Sequence, residues 1–151
     1  MSKVESSIEI NGSVDKVYNL AKRVEEFPEF MPDVKSVTIL EKNEDGSRTV
    51  TEWVGIVKEF NTTIKWLEED IWDDEAKTCT FNMIKGDYGS YSGMWKFYEN
   101  DGKTIMDIEI DFEYDIPLIG ALIQNLIINK MKENTDNMLS AIKARVENNG
   151  L

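Results

Sequence analysis

The sequence contains no histidine, and this absence removes several kinds of catalytic and metal site. Without imidazole the chain cannot build a Ser-His-Asp triad, a Cys-His pair or a histidine-ligated zinc or iron site. Proton transfer, if the chain performs it, falls to carboxylates, tyrosines or lysines. The nine glycines are scattered, so there is no glycine-rich phosphate-binding loop. We therefore expect neither a metal ion nor a cofactor.

Cysteine and long apolar runs are also scarce. The single cysteine, Cys79, excludes an internal disulfide and is typical of a reducing, cytoplasmic setting. It lies in the strand-like run TCTFNMI, where we expect a small core residue rather than a nucleophile. The N-terminus lacks an apolar signal region, and the longest apolar run, IPLIGALI, is too short to span a bilayer. The sequence thus predicts a cytoplasmic protein with no integral membrane segment.

Basic residues are outnumbered by acidic residues, 17 against 29, and the formal net charge is −12. A general nucleic-acid binder needs basic surface to neutralise phosphates, so we expect no nucleic-acid partner. A chain of 151 residues with 41% hydrophobic and 30% charged residues is typical of one soluble globular domain. We therefore predict a single domain over 1–151.

Apolar and polar residues alternate with a period of two through most of the chain, which predicts β-strands. The clearest case is MDIEIDFEY, in which one face is apolar and the other is acidic. Short turns separate successive runs, for example at 43–46 and 100–102, and they imply an antiparallel meander. The predicted strands are 4–10, 34–42, 48–60, 61–72, 77–85, 90–100 and 103–115.

Helical segments flank this run of strands. Ser13 is a suitable N-cap for a helix that ends before the Phe27-Pro28 pair, and a second short turn follows, which holds Phe30 and Met31. Pro117 ends the last strand, and apolar residues at helical spacing then predict a long helix over about 118–147. The predicted fold is α+β, with a curved antiparallel sheet of about seven strands wrapped on this helix. Such a sheet closed by one helix tends to leave an internal cavity for a small apolar molecule.

The stretch VEEFPEFMPDV joins the first helix to the strands that follow. Pro28 and Pro32 exclude a regular helix and keep the connection short and stiff. We expect it to cross one open end of the sheet as a rigid lip. In that arrangement Phe27 anchors in the core, and Phe30 or Met31 borders the mouth of the cavity.

One polar residue interrupts the apolar stripe of the long helix. Asn134 lies between Met131 and Met138 on the helical wheel. A buried amide needs hydrogen-bond partners. Asn134 therefore either bonds across the core or faces a cavity, and the sequence leaves both open.

Three stretches carry a family resemblance that extends over nearly the whole chain. They are VEEFPEFMP at 24–32, GMWKF at 93–97, and a strand followed by a proline and a long helix from Tyr114 onwards. Together they resemble the START-like helix-grip superfamily. More narrowly, they resemble its polyketide cyclase/dehydrase and lipid-transport group, which includes the coenzyme Q-binding proteins.

The resemblance implies binding or transport of a hydrophobic small molecule, such as a lipid, a quinone or a polyketide-like compound. The cavity would lie between the sheet and the C-terminal helix. The alternation along the strands and the apolar stripe of the helix predict which side chains face it. The alternation around Trp53 does not decide which face that residue occupies. The expected lining residues are Phe30, Met31, Trp66, Trp95, Phe97, Met106, Ile108, Ile110, Phe112, Ile127, Met131, Asn134 and Met138.

Two alternative functions stay open. The resemblance also implies an enzyme of the polyketide aromatase/cyclase type, in which polar groups guide enolisation and loss of water. The candidates for proton transfer are Tyr91, Tyr114 and Glu68, and Tyr91 shares the parity of Trp95. A protein-interaction module is the third possibility, because some relatives act on other proteins.

Overall fold

Seven antiparallel strands form one curved sheet in the computed structural model, which describes residues 2–58, 61–114 and 121–149. The order across the sheet is β1-β7-β6-β5-β4-β3-β2, so strands β2 to β7 form a meander and β1 pairs with β7. The strands are β1 Ser2–Ile10, β2 Val34–Lys42, β3 Arg48–Val57, β4 Thr62–Asp73, β5 Thr78–Gly86, β6 Tyr88–Asn100 and β7 Lys103–Tyr114.

Two short helices and one long helix accompany the sheet. They are α1 Val14–Lys22, a 3-10 helix Val24–Glu29 and α2 Ala121–Asn149. The predicted α+β helix-grip class is confirmed, and the predicted strands agree with the observed ones to within a few residues. The predicted start of the long helix at 118–120 lies outside the described residues.

Local chemistry explains where the short helices begin and end. The Ser13 hydroxyl accepts a hydrogen bond from the backbone N–H of Lys16 and caps α1, as predicted. The second turn differs from the prediction, because it begins at Val24 and includes Pro28 instead of holding Phe30 and Met31. Proline fits there because its fixed φ is close to the 3-10 value.

The core lies between the inner face of the sheet and α2. Along β7 the apolar residues Met106, Ile108, Ile110 and Phe112 are all buried, as the alternation predicted. Cys79 on β5 is buried with them, and burial raises the pKa of its thiol. These side chains therefore belong to the core.

The two halves of α2 relate differently to the sheet. In the C-terminal half, Leu139, Ile142 and Val146 are fully buried in the core. In the preceding turns, Ile127 and Met131 are only half-buried, although they face the same way. A cavity separates this earlier part of α2 from the sheet.

Candidate functional site

The cavity lies between the sheet and the first half of α2, towards the end of the sheet where β3 gives way to β4. Its volume is about 110 Å³. One ordered water needs roughly 10–15 Å³, so the cavity has room for a small organic molecule.

Aromatic side chains of the sheet form one wall of the cavity. The Trp53 and Trp66 rings are stacked, with centroids 5.9 Å apart and planes 6° from parallel. Tyr88 and Tyr91 stack at 4.7 Å, and Tyr91 lies 5.1 Å from Trp66. We call the six aromatic lining residues the aromatic wall; they are Trp53, Trp66, Phe81, Tyr88, Tyr91 and Trp95.

A glycine of the GMWKF motif allows this wall to pack. A Cβ at Gly93 would collide with the backbone carbonyl of Glu109 on β7, and it would lie 2.7 Å from the Phe81 ring. No side chain fits between these neighbours. Gly93 thus permits close contact between β6 and β7 and keeps Phe81 against the cavity.

Both tryptophans of the stacked pair donate hydrogen bonds to buried polar groups. Trp66 Nε1 donates to Glu68 Oε1 over 2.7 Å, and Trp53 Nε1 donates to Thr51 Oγ1 over 2.8 Å. The Thr51 hydroxyl donates in turn to Asp70 Oδ2 over 2.7 Å. The two indoles are therefore fixed in orientation by groups on β3 and β4.

Glu68 and Asp70 are buried side by side on β4, where only 4% and 5% of each residue is exposed. We call these two residues the carboxyl pair. Glu68 lines the cavity, whereas Asp70 lies beyond the lining residues of β4 and accepts hydrogen bonds from Thr49 and Thr51. Since successive even positions of a strand point to one face, both carboxyl groups face inward.

The surroundings of the carboxyl pair favour one proton shared by two groups. Burial raises the pKa of Glu68 well above its ordinary value, and the adjacent Asp70 raises it further. Burial also raises the pKa of Asp70, while hydrogen bonds from Glu68, Thr51 and Thr49 lower it. The two threonine hydroxyls that donate to Asp70 favour its ionised form, so Glu68 is the member of the pair that retains a proton more readily.

The helix side of the cavity is apolar with four polar interruptions, which are Lys130, Asn134, Thr135 and Asn137. Ile127, Met131 and Met138 supply the apolar surface. Lys130 also lines the cavity, and its ammonium lies 3.4 Å from a carboxylate oxygen on the next turn of α2.

Asn134 is another of these interruptions, and its Oδ1 atom is buried without a hydrogen-bond partner among the described residues. The sequence left two alternatives for this residue, a bond across the core or a place on a cavity. The structure decides in favour of the cavity.

The predicted lip forms part of the rim. Met31 and Val34 line the cavity, and Phe27 is fully buried, as expected for its anchor. Asn137 Nδ2 on α2 donates to Asp33 Oδ2 over 3.1 Å. This bond ties the lip to the helix beside the opening.

The structure brings most of the predicted lining residues together at one cavity. Of the proton-transfer candidates, Tyr91 and Glu68 also line it, whereas the side chain of Tyr114 lies outside the described residues. The predicted residues that line the cavity are Met31, Trp66, Trp95, Ile108, Ile110, Ile127, Met131, Asn134 and Met138.

Four predicted lining residues, Phe30, Phe97, Met106 and Phe112, lie elsewhere. Phe97 packs edge-on against Tyr18 of α1 at 5.4 Å, and Met106 and Phe112 are fully buried in the core. Phe30 lies under the guanidinium of Arg145, 4.9 Å from its ring. The strand parity of the β6 and β7 residues is as predicted, but they contact packed parts of the core instead of the cavity.

Several lining residues were not identified from the sequence. Trp53 faces inward, which its ambiguous alternation did not reveal, and Phe81 lies on the inner face of β5. Asp70 does not line the cavity and was also missed, although it carried a visible signal, because it shares the parity of Trp66 and Trp72 on β4. Two acidic residues between two tryptophans on one face of a strand indicate buried carboxyl groups.

Within the described part of the chain, no helix is long and apolar enough to cross a membrane. The same residues contain no cluster of three or more cysteine, aspartate or glutamate side chains that could hold a metal ion.

Comparison of the sequence with known proteins identifies related chains. A family described as polyketide cyclase/dehydrase and lipid transport matches residues 10–139. An uncharacterized 17.2 kDa protein of Streptomyces lincolnensis is 33% identical over 120 residues. The aligned part covers 76% of this chain and 71% of that protein.

Solved structures share the fold over almost the full length. A Thermus thermophilus protein superposes with a TM-score of 0.91 at 29% identity, covering 99% of this chain and 100% of its own. A START superfamily protein of Mycobacterium smegmatis has a TM-score of 0.82 at 16% identity, with 97% of each chain covered. The Zhui aromatase/cyclase of a Streptomyces species has a TM-score of 0.77 at 16% identity, covering 96% of this chain and 95% of its own. At 16% identity, the likeness to the last two concerns the fold alone.

Proposed function

The chain belongs to the polyketide cyclase/dehydrase and lipid transport family, and on this basis we propose that it binds a hydrophobic small molecule in the cavity between the sheet and α2. The observation that carries the proposal is the aromatic wall facing Met131 and Met138 across an open space. Flat aromatic rings and flexible methionines suit a flat, largely apolar ligand. A lipid chain, a quinone and a polyketide-like ring system all fall within this class.

Tryptophan fluorescence is a direct test, because Trp53, Trp66 and Trp95 all line the cavity. The purified protein is titrated with naphthalene derivatives, and native mass spectrometry of the same sample detects any ligand that copurifies. We expect saturable quenching with one ligand per chain. A flat titration with every apolar probe, together with an unliganded mass, would contradict the proposal.

A second candidate function is proton transfer on the bound molecule, as in an enzyme of the aromatase/cyclase type. The observation that favours it is the carboxyl pair, in which burial raises the pKa of both groups and Glu68 lines the cavity. Such a pair can accept a proton from an acidic carbon and return it. Tyr91 lines the same cavity and is a further candidate for hydrogen bonding to the substrate.

Hydrogen exchange distinguishes an enzyme from a carrier. In D₂O, proton NMR follows exchange at the methyl group of 2-acetylnaphthalene with the wild-type protein and with Glu68→Gln. An enzyme accelerates the exchange, and the substitution removes most of the acceleration. If exchange proceeds at the same rate with the wild type, with Glu68→Gln and with buffer alone, the protein does not catalyse this proton transfer. The proposed binding function would then still stand.

A further inference from the structure

The polar groups at the cavity point to a more specific ligand chemistry. Glu68 is the lining residue of β4 furthest from the β3–β4 connection, and it lies four residues beyond Ile64. At about 3.3 Å per residue, this places it roughly 13 Å along the strand from Ile64. Glu68 therefore lies at the inner end of the cavity wall that β4 supplies.

Glu68 offers a hydrogen-bond acceptor at this inner end. Asp70 lies beside it and accepts hydrogen bonds from the Thr49 and Thr51 hydroxyls, which favours the ionised form of Asp70 and the protonated form of Glu68. The Oε1 atom of Glu68 accepts one hydrogen bond, from Trp66 Nε1. A carboxyl oxygen has two lone pairs, so Oε1 can accept a second hydrogen bond from a ligand.

Asn134 supplies an acceptor on the opposite wall. Its Oδ1 is buried and has no hydrogen-bond partner among the described residues, although the residue lines the cavity. Leaving a buried carbonyl oxygen unpaired is costly, and a ligand donor would satisfy it. The sheet and the helix thus each offer an acceptor to the same space.

We propose that Glu68 and Asn134 form a polar subsite that accepts hydrogen bonds from hydroxyl groups of an uncharged aromatic ligand, with Asp70 as the residue that positions Glu68. This inference rests on the proposed binding function and adds the ligand class to it. A phenol or an enol on a flat ring system fits both the acceptors and the aromatic wall. An acidic ligand does not fit the inner end, because burial already disfavours the charged forms of the two carboxyl groups that lie there.

The other titratable groups around the subsite agree with this assignment. Cys79 on β5 faces the carboxyl pair and is neutral, because burial raises the pKa of its thiol. Tyr88 and Tyr91 on β6 line the cavity as well. On α2, Lys130 lines the cavity and pairs with Glu133. The charge at the inner end of the cavity is therefore set by the carboxyl pair.

Matched probes test the proposal by calorimetric titration at neutral pH. The probes are 2-naphthol, 2-methoxynaphthalene and 2-naphthoate, which share one ring system and differ in the polar group. A single added hydrogen bond corresponds to an affinity gain of about two- to tenfold. We expect 2-naphthol to bind the wild-type protein more tightly than the methyl ether by about this factor, and 2-naphthoate to bind more weakly than 2-naphthol.

A probe with a second hydroxyl group and three variants of the protein assign the gain in affinity to individual residues. We expect 2,6-dihydroxynaphthalene to bind more tightly than 2-naphthol. Asn134→Leu should reduce the advantage of the hydroxyl probes over 2-methoxynaphthalene. Glu68→Gln retains a carbonyl acceptor and should keep the preference, whereas Glu68→Met should lose it. A cooperative thermal unfolding transition shows that each variant is folded. If Glu68→Met does not fold, the probe affinities of the wild type and of Asn134→Leu still test the proposed subsite.

The possible failures separate the two proposals. If none of the probes binds the wild-type protein, the proposed binding function is wrong. If the hydroxyl probe and its ether bind equally, or if 2-naphthoate binds tightest, the binding function stands and the polar subsite is wrong. A hydroxyl preference that is unchanged in both Asn134→Leu and Glu68→Met would also overturn the assignment.

Discussion

Trp66 and Glu68 lie two residues apart on β4, and the indole Nε1 of the first donates a hydrogen bond of 2.7 Å to the carboxyl group of the second. Both side chains are buried and both line the cavity. This contact links the aromatic wall to the carboxyl pair. The orientation of the Trp66 ring at the cavity surface therefore depends on its hydrogen bond to the buried Glu68 side chain.

The stability of the protein should depend on the protonation of Glu68. The pKa of Glu68 is raised in the folded state, mainly by burial, whereas in the unfolded chain it returns to about 4.3. Between these two values the folded state binds more protons than the unfolded state. The free energy of unfolding therefore falls as pH rises through this range, by up to about 1.4 kcal/mol per pH unit for each proton.

Glu68→Gln tests this dependence because its amide does not titrate. We expect the variant to gain stability relative to the wild type as pH rises from about 5.5 to about 8, a range above the ordinary carboxyl pKa, as measured by urea unfolding at both pH values. Glu99→Gln replaces an exposed acid on β6 and is the matched control. An equal difference between wild type and Glu68→Gln at both pH values would contradict a raised pKa for Glu68.

Replacement of Asp70 should lower the pKa of Glu68. The Asp70→Asn substitution removes the adjacent charge but keeps an oxygen that can accept from Thr51. Since the neighbouring charge is one cause of the raised pKa, Glu68 should titrate at lower pH in the variant. Carbon NMR of the Glu68 carboxyl group measures this directly, and a titration that does not move would show that the two groups are not coupled.

The Thr51 hydroxyl should stabilise the protein through two hydrogen bonds. It accepts from Trp53 Nε1 and donates to Asp70, and the residue is fully buried. Thr51→Val leaves Trp53 Nε1 without its acceptor and removes one of the two threonine hydrogen bonds to Asp70, so we expect a loss of about 2 kcal/mol in the free energy of unfolding. Thr51→Ser keeps the hydroxyl and should lose less in the same urea titration. Equal losses would mean that the hydroxyl contributes nothing beyond its packing.

Filling the cavity from the sheet side should block binding with little effect on folding. Gly55 lines the cavity, and a Cβ there would lie 3.8 Å from the nearest Trp66 ring atom, which is ordinary contact. Gly55→Ala should therefore bind naphthalene probes nearly as well as the wild type. Gly55→Val adds two methyl groups towards the cavity and should weaken binding by about tenfold or more, at unchanged or raised thermal stability. Undiminished binding to a folded Gly55→Val would place the ligand elsewhere.

The two halves of α2 should differ in their contribution to stability. Ile142 is fully buried in the core, whereas Ile127 is half-buried beside the cavity. Ile142→Ala should cost about 2–5 kcal/mol, because it leaves a void among packed neighbours. Ile127→Ala makes the same chemical change next to existing empty space and should cost about 1 kcal/mol. Chemical denaturation of the two variants compares them, and similar losses would mean that both halves of α2 pack equally.

Much of the fold could be predicted because it depends on short-range patterns. The alternation in β7 predicted which of its residues are buried, and Ser13 predicted the start of α1. The family resemblance based on VEEFPEFMP and GMWKF is confirmed by the match over residues 10–139. The second short turn was placed too late, since a 3-10 helix tolerates Pro28 where an α-helix would not.

The candidate site could be predicted only in part. Trp95 and Phe97 share one face of β6, yet Trp95 lines the cavity and Phe97 packs against α1. Strand parity selects the face of the sheet, but it does not tell how far along the strand the packed core ends. That boundary depends on where α1 and α2 cover the sheet, and these elements are distant in sequence.

By itself, the sequence determined the periodicities, the turns and the absence of imidazole chemistry, because each of these depends on residue identity and near neighbours. Only the tertiary structure decided that Asn134 faces the cavity and that Glu68 and Asp70 share a buried environment. Burial raises the pKa of a carboxyl group only when several strands and a helix exclude water from it together. The chemistry of this cavity is therefore a property of the assembled sheet and helix.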